Sequence, residues 1–148
     1  MEANDVTKVQ MLIKTGANVN SRDEIYGETA LMRAMRNNSE AIAKLLIEAG
    51  ADVNAVGSDG TNALMLADDV DIAKMLIEAG ADVNAKNYHG CTALITAARS
   101  NNAGVAKLLI ANGADVNAMD NFDWTALMYA DYLHNADVKE VLIEAGAQ

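Results

Sequence analysis

The side chains of this chain that are best suited to nucleophilic or metal chemistry are two histidines and a single cysteine. Cys91 stands two residues after His89, whereas His134 lies in a distant part of the sequence. A catalytic Cys/His pair needs hydrogen-bond contact and a third group that orients the base. The spacing of His89, Cys91 and the acid Asp123 matches no usual pattern of metal ligands. We interpret this segment as an exposed turn, and a metal-dependent or enzymatic role of His89 and Cys91 stays open as an alternative.

Other motifs that could support catalysis or bind a cofactor are incomplete or absent. The acidic run Asp68-Asp69-Val70-Asp71 lacks the glycine turn and the twelfth-position Glu of a calcium loop. Neither a Gly-x-Gly-x-x-Gly motif nor a phosphate loop ending in Gly-Lys-Ser/Thr occurs. One cysteine supports no intrachain disulfide and no cysteine-based zinc site. The sequence therefore predicts no catalytic residue, no cofactor and no metal, which means a protein that is not an enzyme.

The composition favours packed helices in an acidic protein. The 148 residues are 51% hydrophobic but only 4% aromatic, and 11 Lys and Arg against 21 Asp and Glu give a net charge of −10. That charge repels nucleic-acid phosphates and anionic lipids. No apolar run approaches the roughly 20 residues that span a bilayer, and the first residues lack the basic region of a secretory signal. We predict a cytoplasmic protein that binds neither nucleic acid nor membranes.

Two short motifs recur in phase along the chain. The first is Gly-Ala-Asn/Asp-Val-Asn, with a partial last copy, and it begins at Gly16, Gly50, Gly80, Gly113 and Gly146. Its spacings are therefore 34, 30, 33 and 33 residues. The second is Thr-Ala-Leu, with Asn for Thr in one copy, and it begins at Thr29, Asn62, Thr92 and Thr125. A common period in this range is the signature of a repeat array.

Each copy of the pattern predicts two helices separated by polar turns. The Thr or Asn that opens the second motif has a side-chain oxygen suited to cap the first helix. In the second helix, Ile42, Leu45 and Leu46 lie at i, i+3 and i+4 on one face, and the glycine that follows is suited to end it. The segment from Val-Asn to the next Thr predicts a projecting turn. Because one such pair cannot bury its apolar surface alone, neighbouring pairs must stack.

These motifs resemble the ankyrin repeat family over essentially the whole chain. The matching pattern is Asp-x-x-Gly-x-Thr-x-Leu, two helices, and Gly-Ala-Asp-Val-Asn-Ala. The resemblance implies an all-α solenoid of stacked antiparallel helix pairs with β-hairpin fingers. It also implies a concave face formed by the fingers and the first helices. The family's Thr-Pro-Leu-His is Thr-Ala-Leu-Met or Thr-Ala-Leu-Ile here, so we expect side chains such as Met32 and Ile95 to pack where the family has a hydrogen-bonding histidine.

The spacing predicts a single array of about four and a half repeats. Its parts are a partial N-terminal repeat over 1–21 that lacks most of its first helix, a repeat over 22–55, a repeat over 56–85 that is three residues short, a repeat over 86–118 and a C-terminal capping repeat over 119–148. Lys139 and Asp131 replace alanines of the inner repeats, which suits a terminal repeat that faces water. At the other end, the missing first helix leaves Val6, Val9 and Leu12 partly uncovered.

The aromatic residues are distributed unevenly. All six fall in the predicted fingers or first helices, and they are Tyr26, Tyr88, Phe122, Trp124, Tyr129 and Tyr132. Since Trp, Tyr and Arg carry much of the binding energy of protein interfaces, we predict that these residues bind a partner together with His89. Arg33, Arg36 and Arg99 share the same face and would select an acidic or carbonyl-rich patch. In the alternative interpretation, Trp124 and Tyr129 simply cover the last repeat.

The function that these patterns favour is non-enzymatic protein–protein interaction. A protein partner would dock on the concave face, which makes the chain an interaction module or scaffold. The alternative is a regulatory or stabilising ankyrin segment of a larger protein. We expect a monomer, with self-association through the N-terminal helix as the other possibility.

Overall fold

The computed structural model describes residues 2–148, with side chains from Asp5 onward. Within this range the chain forms eight α-helices, one short 3₁₀ helix and no strand. The α-helices are α1 (Glu2–Lys14), α2 (Ala30–Arg36), α3 (Glu40–Glu48), α4 (Val70–Glu78), α5 (Ala93–Arg99), α6 (Ala103–Ala111), α7 (Ala126–Tyr132) and α8 (Ala136–Glu144), and the 3₁₀ helix is Leu64–Leu66. None of these helices is both long and apolar enough to cross a bilayer.

The helices pack as pairs that stack on one another. Helix α2 contacts α3, α5 contacts α6 and α7 contacts α8, while α5 also contacts α7 and α6 contacts α8. One continuous core runs through the stack. It contains a fully buried leucine from the second helix of each of three neighbouring copies, Leu76 of α4, Leu109 of α6 and Leu142 of α8. The all-helical solenoid predicted from the sequence is therefore confirmed.

Buried polar side chains begin the first helix of each pair. The Thr92 hydroxyl accepts a hydrogen bond from the Ile95 N–H at 3.3 Å, and Thr29 and Thr125 cap α2 and α7 in the same way. In the copy with the 3₁₀ helix, the Asn62 amide oxygen accepts from the Met65 N–H at 3.0 Å. These contacts satisfy N–H groups that a helix start leaves unpaired, and they confirm the capping role predicted for these residues.

The loops before the first helices are closed turns in which the structure assigns no strand to the described residues. We call residues 21–28, 55–61, 85–91 and 118–124 the fingers. The predicted hairpins are not confirmed, because the fingers contain only isolated antiparallel bridges, at Arg22 with Thr29, Val56 with Asn62 and Met119 with Thr125. In the last finger, the Asp120 N–H donates to the Trp124 carbonyl at 3.0 Å. The few residues between such bonds form the turn itself, so no room is left for a strand ladder.

The copy that is three residues short has no complete first helix. Only the 3₁₀ helix Leu64–Leu66 forms, and α4 begins four residues after it. Elsewhere a left-handed residue joins the two helices of a pair, with φ of +50° at Asn38, +53° at Asn101 and +59° at His134. In the short copy, Asp69 caps α4 directly, and its carboxylate accepts from the N–H groups of Asp71 and Ile72. The deletion therefore removes the last turn of the first helix and the left-handed residue.

The two ends of the stack differ from its middle. Leu12 on α1 is 58% exposed, whereas Leu46 and Leu109 at the same place in α3 and α6 are exposed by 3% and 0%. Helix α1 corresponds to the second helix of a pair and contacts α3, and no first helix precedes it within the described residues. At the other end, Lys139 and Asp131 form an ion pair with each other. The polar replacements in the last repeat thus neutralise one another on the outer side of the stack.

Candidate functional site

Four aromatic side chains gather at the C-terminal end of the finger and first-helix face. The Trp124 ring lies 5.0 Å from the Tyr129 ring and 5.5 Å from the Tyr132 ring, centroid to centroid, and the second pair is T-shaped at 85°. Together with Phe122 they line an open hollow of about 400 Å³. Phe122 and Tyr132 are 73% and 69% exposed. We call this site the aromatic hollow.

A buried carboxylate holds the aromatic hollow in place. Asp120, at 5% exposure, accepts the Tyr129 hydroxyl at 2.6 Å and the N–H groups of Phe122 and Trp124 at 2.8 and 3.0 Å. Burial raises the pKa of Asp120, but these hydrogen bonds and the Arg99 charge outweigh burial, so its pKa lies below the ordinary value. The hydrogen bond to Asp120, followed by burial, raises the pKa of Tyr129 to about 12.

The three arginines predicted to bind a partner have different surroundings. Arg33 donates to the Asp23 carboxylate at 3.2 Å, and Arg36 donates to the Glu28 carboxylate at 2.6 Å. Arg99 makes no ion pair with any side chain that the structure describes, and its guanidinium carbon lies 5.4 Å from the centre of the Tyr129 ring. The charges of Arg33 and Arg36 are therefore balanced by finger carboxylates, while Arg99 is held by a cation–π contact.

A groove of about 410 Å³ crosses the middle of this face. Its walls come from three successive fingers and from the first helices beside them, from Arg36 and Asp59 at one end, past Arg99, to Phe122 and Tyr129 at the other. Met65 and Leu66 of the 3₁₀ helix also line it. Because that helix lacks its last turn, the groove crosses the stack where the first-helix layer is thinnest.

The remaining predicted site residues lie outside the aromatic hollow. Tyr26 lines a smaller pocket of about 140 Å³ beside Arg36. The Tyr88 ring lies against Gly60 of the preceding finger and is 68% exposed. His89 lines the groove, and its carbonyl accepts from the Asn121 N–H at 2.9 Å. The structure therefore brings together four of the six aromatics and leaves Tyr26 and Tyr88 along the finger edge.

The environment of Cys91 disfavours nucleophilic chemistry. The residue is 8% exposed. Burial, with the Asp120 charge, raises the pKa of its thiol above the ordinary value despite the opposing effect of Arg99. A thiol with a raised pKa is protonated at neutral pH and is a poor nucleophile. In the part of the chain described here, no group of three or more His, Cys, Asp and Glu side chains is placed to hold a metal ion.

Sequence reasoning missed the acidic residues that organise this face. Asp120, Asp23 and Glu28 hold Tyr129, Arg33 and Arg36, yet as isolated finger acids they resemble solvated turn residues. One signal was available for Asp120. It occupies the finger place of Asn87, whose side-chain oxygen accepts from the N–H groups of His89 and Cys91 at 3.0 Å.

Comparison with known families matches the whole length of the chain. The family model described as ankyrin repeats, three copies, matches residues 1–87 and 69–148. Ankyrin repeats are generally protein-interaction modules and generally not enzymes.

Individual relatives are similar over shorter stretches. The chain is 38% identical over 66 residues to an ankyrin repeat and SAM domain-containing protein 6 of Rattus norvegicus, which is 43% of this chain and 8% of that protein. It is 40% identical over 67 residues to a mitochondrial disaggregase of Bos taurus, 45% of this chain and 10% of that protein. It is 43% identical over 56 residues to a putative ankyrin repeat-containing protein of Treponema pallidum, 38% of this chain and 19% of that protein. The matches thus span less than a fifth of each of these relatives.

Proposed function

Because this chain belongs to the ankyrin repeat family, we propose that it is a non-enzymatic protein–protein interaction module. Its partner docks on the face formed by the fingers and first helices. One observation carries the proposal: all six aromatics and all four arginines of the chain lie on these elements. The second helices, α3, α4, α6 and α8, contain none of them.

The aromatic hollow is the centre of the proposed interface. Interfaces bury their energetically important Trp, Tyr and Arg side chains at the middle of a patch, where water is excluded. Trp124 and Tyr129 are half-buried and fixed by ring contacts and by Asp120. Phe122 and Tyr132 are exposed beside them. A partner side chain that enters the hollow would therefore contact two rigid rings and cover two exposed ones.

The other predicted residues belong to the periphery of the proposed interface. Arg33 and Arg36, paired with finger acids, contribute orientation and solubility more than affinity. Tyr26, Tyr88 and His89 line the finger edge, where a large partner would touch them. The five proposed segments of the chain, over 1–21, 22–55, 56–85, 86–118 and 119–148, would each contribute one layer of the array.

Affinity capture with matched variants tests the proposal. The intact protein, Trp124→Ala/Tyr132→Ala and Phe122→Ala/Tyr132→Ala are used as baits in lysate of the source cell. A control bait is Ile143→Ala, which alters a 55% exposed apolar residue of α8. We expect a partner that the intact protein and the control retain and that both aromatic variants lose. The melting temperature of Phe122→Ala/Tyr132→Ala should equal that of the intact protein, because both side chains are exposed. Equal retention by all baits would place the interface elsewhere.

A second role, as a stabilising or regulatory segment of a larger protein, is favoured by one observation. Leu12 is 58% exposed at a place that is buried in the other helix pairs. A first helix supplied by another segment would cover it. Fusing a copy of residues 29–39 before α1 should then raise the melting temperature by several degrees. No rise would count against this role.

A further inference from the structure

Arg99 differs from the other arginines of the described residues because it donates to no oxygen; its one side-chain hydrogen bond is with the Cys91 thiol. Arg22 donates to the carbonyls of Gly27 and Val56, while Arg33 and Arg36 donate to carboxylates. Within residues 5–148 the Arg99 side chain has no ion pair and no hydrogen bond to an oxygen or nitrogen, and its guanidinium lies over the Tyr129 ring. A guanidinium carries five N–H donors in a planar fork. Apart from the contact with the Cys91 thiol, those of Arg99 remain available to a ligand.

Asp120, whose charge interacts with that of Arg99, does not neutralise it by direct contact. The carboxylate oxygens of Asp120 are engaged by the Tyr129 hydroxyl and by the N–H groups of Phe122 and Trp124. Asp120 is buried and forms no ion pair with Arg99. Tyr129 thus lies between the two charged groups. Its hydroxyl donates to the Asp120 carboxylate, and its ring contacts the Arg99 guanidinium.

Arg99 and the aromatic hollow are close enough to contact one short segment. The Arg99 guanidinium carbon is 5.4 Å from the Tyr129 ring centre, and the Trp124 ring centre is 5.0 Å from the same point. The guanidinium and the indole are therefore at most about 10 Å apart. An extended chain advances about 3.3–3.6 Å per residue, so two side chains within three residues of each other span this distance.

The distribution of charge permits an acidic segment to approach this face. Two thirds of the 21 acidic residues lie outside the fingers and first helices. On the face itself, Asp23 and Glu28 are already paired with arginines. A ligand carboxylate at Arg99 would gain a planar, bidentate contact of the kind that guanidinium groups make best.

We propose that the partner presents an extended segment with an Asp or Glu side chain within three residues of a bulky apolar side chain. The carboxylate binds Arg99, and the apolar side chain occupies the aromatic hollow. The segment follows the groove across the fingers, whose lining includes both Arg99 and Phe122. This proposal rests on the proposed function and names the chemistry of its partner.

Peptide selection gives the first test. A phage-displayed library of random 12-residue peptides is selected on the intact protein, and the enriched peptides are sequenced. We expect Asp or Glu within three residues of Phe, Tyr, Trp, Leu, Ile or Met to be clearly more frequent among them, and at a fixed spacing, than among unselected peptides of the same library. Enrichment of basic peptides, or no enrichment, would overturn the proposal.

Titration of the enriched peptides against matched variants gives the second test. Trp124 is the only tryptophan, so its fluorescence reports binding of Trp-free synthetic peptides. Replacing the peptide Asp by Asn should raise the Kd at least tenfold for the intact protein and less than twofold for Arg99→Gln. Arg99→Lys should bind with intermediate affinity, because it keeps the charge without the fork. Lys107→Gln, which removes an exposed cation from the second helix α6, serves as the control and should bind as the intact protein does.

The results separate this proposal from the proposed function. Peptides that lose affinity for Phe122→Ala/Tyr132→Ala, which keeps the Trp124 reporter, but not for Arg99→Gln would overturn the carboxylate contact and leave the interaction face in place. Peptides insensitive to all of these variants would contradict both. Thermal melting of each variant shows whether the last repeat is still folded.

Discussion

The Tyr129 hydroxyl donates a 2.6 Å hydrogen bond to the carboxylate of Asp120, across the junction of the last finger and α7. The bond links a 5% exposed acid to a ring that also contacts Trp124 and Arg99. One interaction therefore joins the fold of the last repeat to the geometry of the aromatic hollow.

Tyr129→Phe should destabilise the protein by about 1–3 kcal/mol at pH 7, because it leaves a buried acceptor with one donor fewer. The pKa of Tyr129 is raised from 10 to about 12 in the folded protein. The folded state thus binds this proton more tightly than the unfolded state does, so the stabilisation is complete below pH 10 and is lost as the pH rises toward 12.

Urea unfolding of the intact protein and of Tyr129→Phe between pH 7 and 11.5 measures this effect. The difference in unfolding free energy should be constant to about pH 9 and should then shrink. Tyr132→Phe serves as the control, since the Tyr132 hydroxyl makes no hydrogen bond to any side chain or backbone group over residues 5–148 and the ring is 69% exposed. A difference that does not change with pH would contradict the role assigned to this proton.

Gly90 and Gly113 both have positive φ, +78° and +87°, but their surroundings differ. A Cβ at Gly90 would lie 2.8 Å from the Asn121 backbone nitrogen of the next finger, whereas nothing lies within 4 Å of one at Gly113. Gly113→Ala should therefore cost only the left-handed backbone penalty of about 1–2 kcal/mol. Gly90→Ala should cost clearly more, because the two fingers must separate. Equilibrium unfolding of the two variants measures the difference, and equal costs would mean that the fingers are not tightly stacked.

Leucines at the same place in the repeat should differ in energetic importance. Leu109→Ala removes a fully buried side chain and should cost about 2–5 kcal/mol. Leu12→Ala alters a side chain that is 58% exposed and should cost less than about 1 kcal/mol. Chemical denaturation followed by circular dichroism checks both values. A large cost at Leu12 would show that its face is covered in solution.

The sequence predicted the parts of this fold that depend on local chemistry and period. The capping role of Thr92 follows from its hydroxyl and its place before an apolar run, and the deletion near Asp69 follows from counting between motifs. The sequence did not show that the described fingers would lack strands. That outcome depends on where each turn closes, because only the residues outside the turn can pair as strands. Nor did the sequence show the pairing of Arg36 with Glu28, eight residues apart, because the finger brings them together only after it folds against α2.

The repeated asparagines join neighbouring copies and should control cooperativity. The Asn84 side chain accepts from the Asp115 N–H at 2.8 Å and donates to the Gly113 carbonyl at 2.9 Å, whereas the Asn117 side chain, among the residues that the structure describes, accepts only from the Gln148 N–H at 3.0 Å. At about 0.5–1.5 kcal/mol for each net hydrogen bond, Asn84→Ala should cost about 1–3 kcal/mol and Asn117→Ala about half as much.

The two asparagine variants should also differ in the shape of their unfolding curves. In a stacked array, each copy is stabilised by its neighbours, so weakening one junction lets the copies on its two sides unfold separately. Asn84→Ala should broaden the urea transition followed by circular dichroism and lower the midpoint of the Trp124 fluorescence change, which reports the last copy alone. Asn117→Ala removes one bond of the last junction instead of two bonds of an inner junction, so it should change both signals in the same direction by about half as much. Coincident transitions in Asn84→Ala would show that packing between the helices, and not the asparagine bonds, sets the cooperativity of the array.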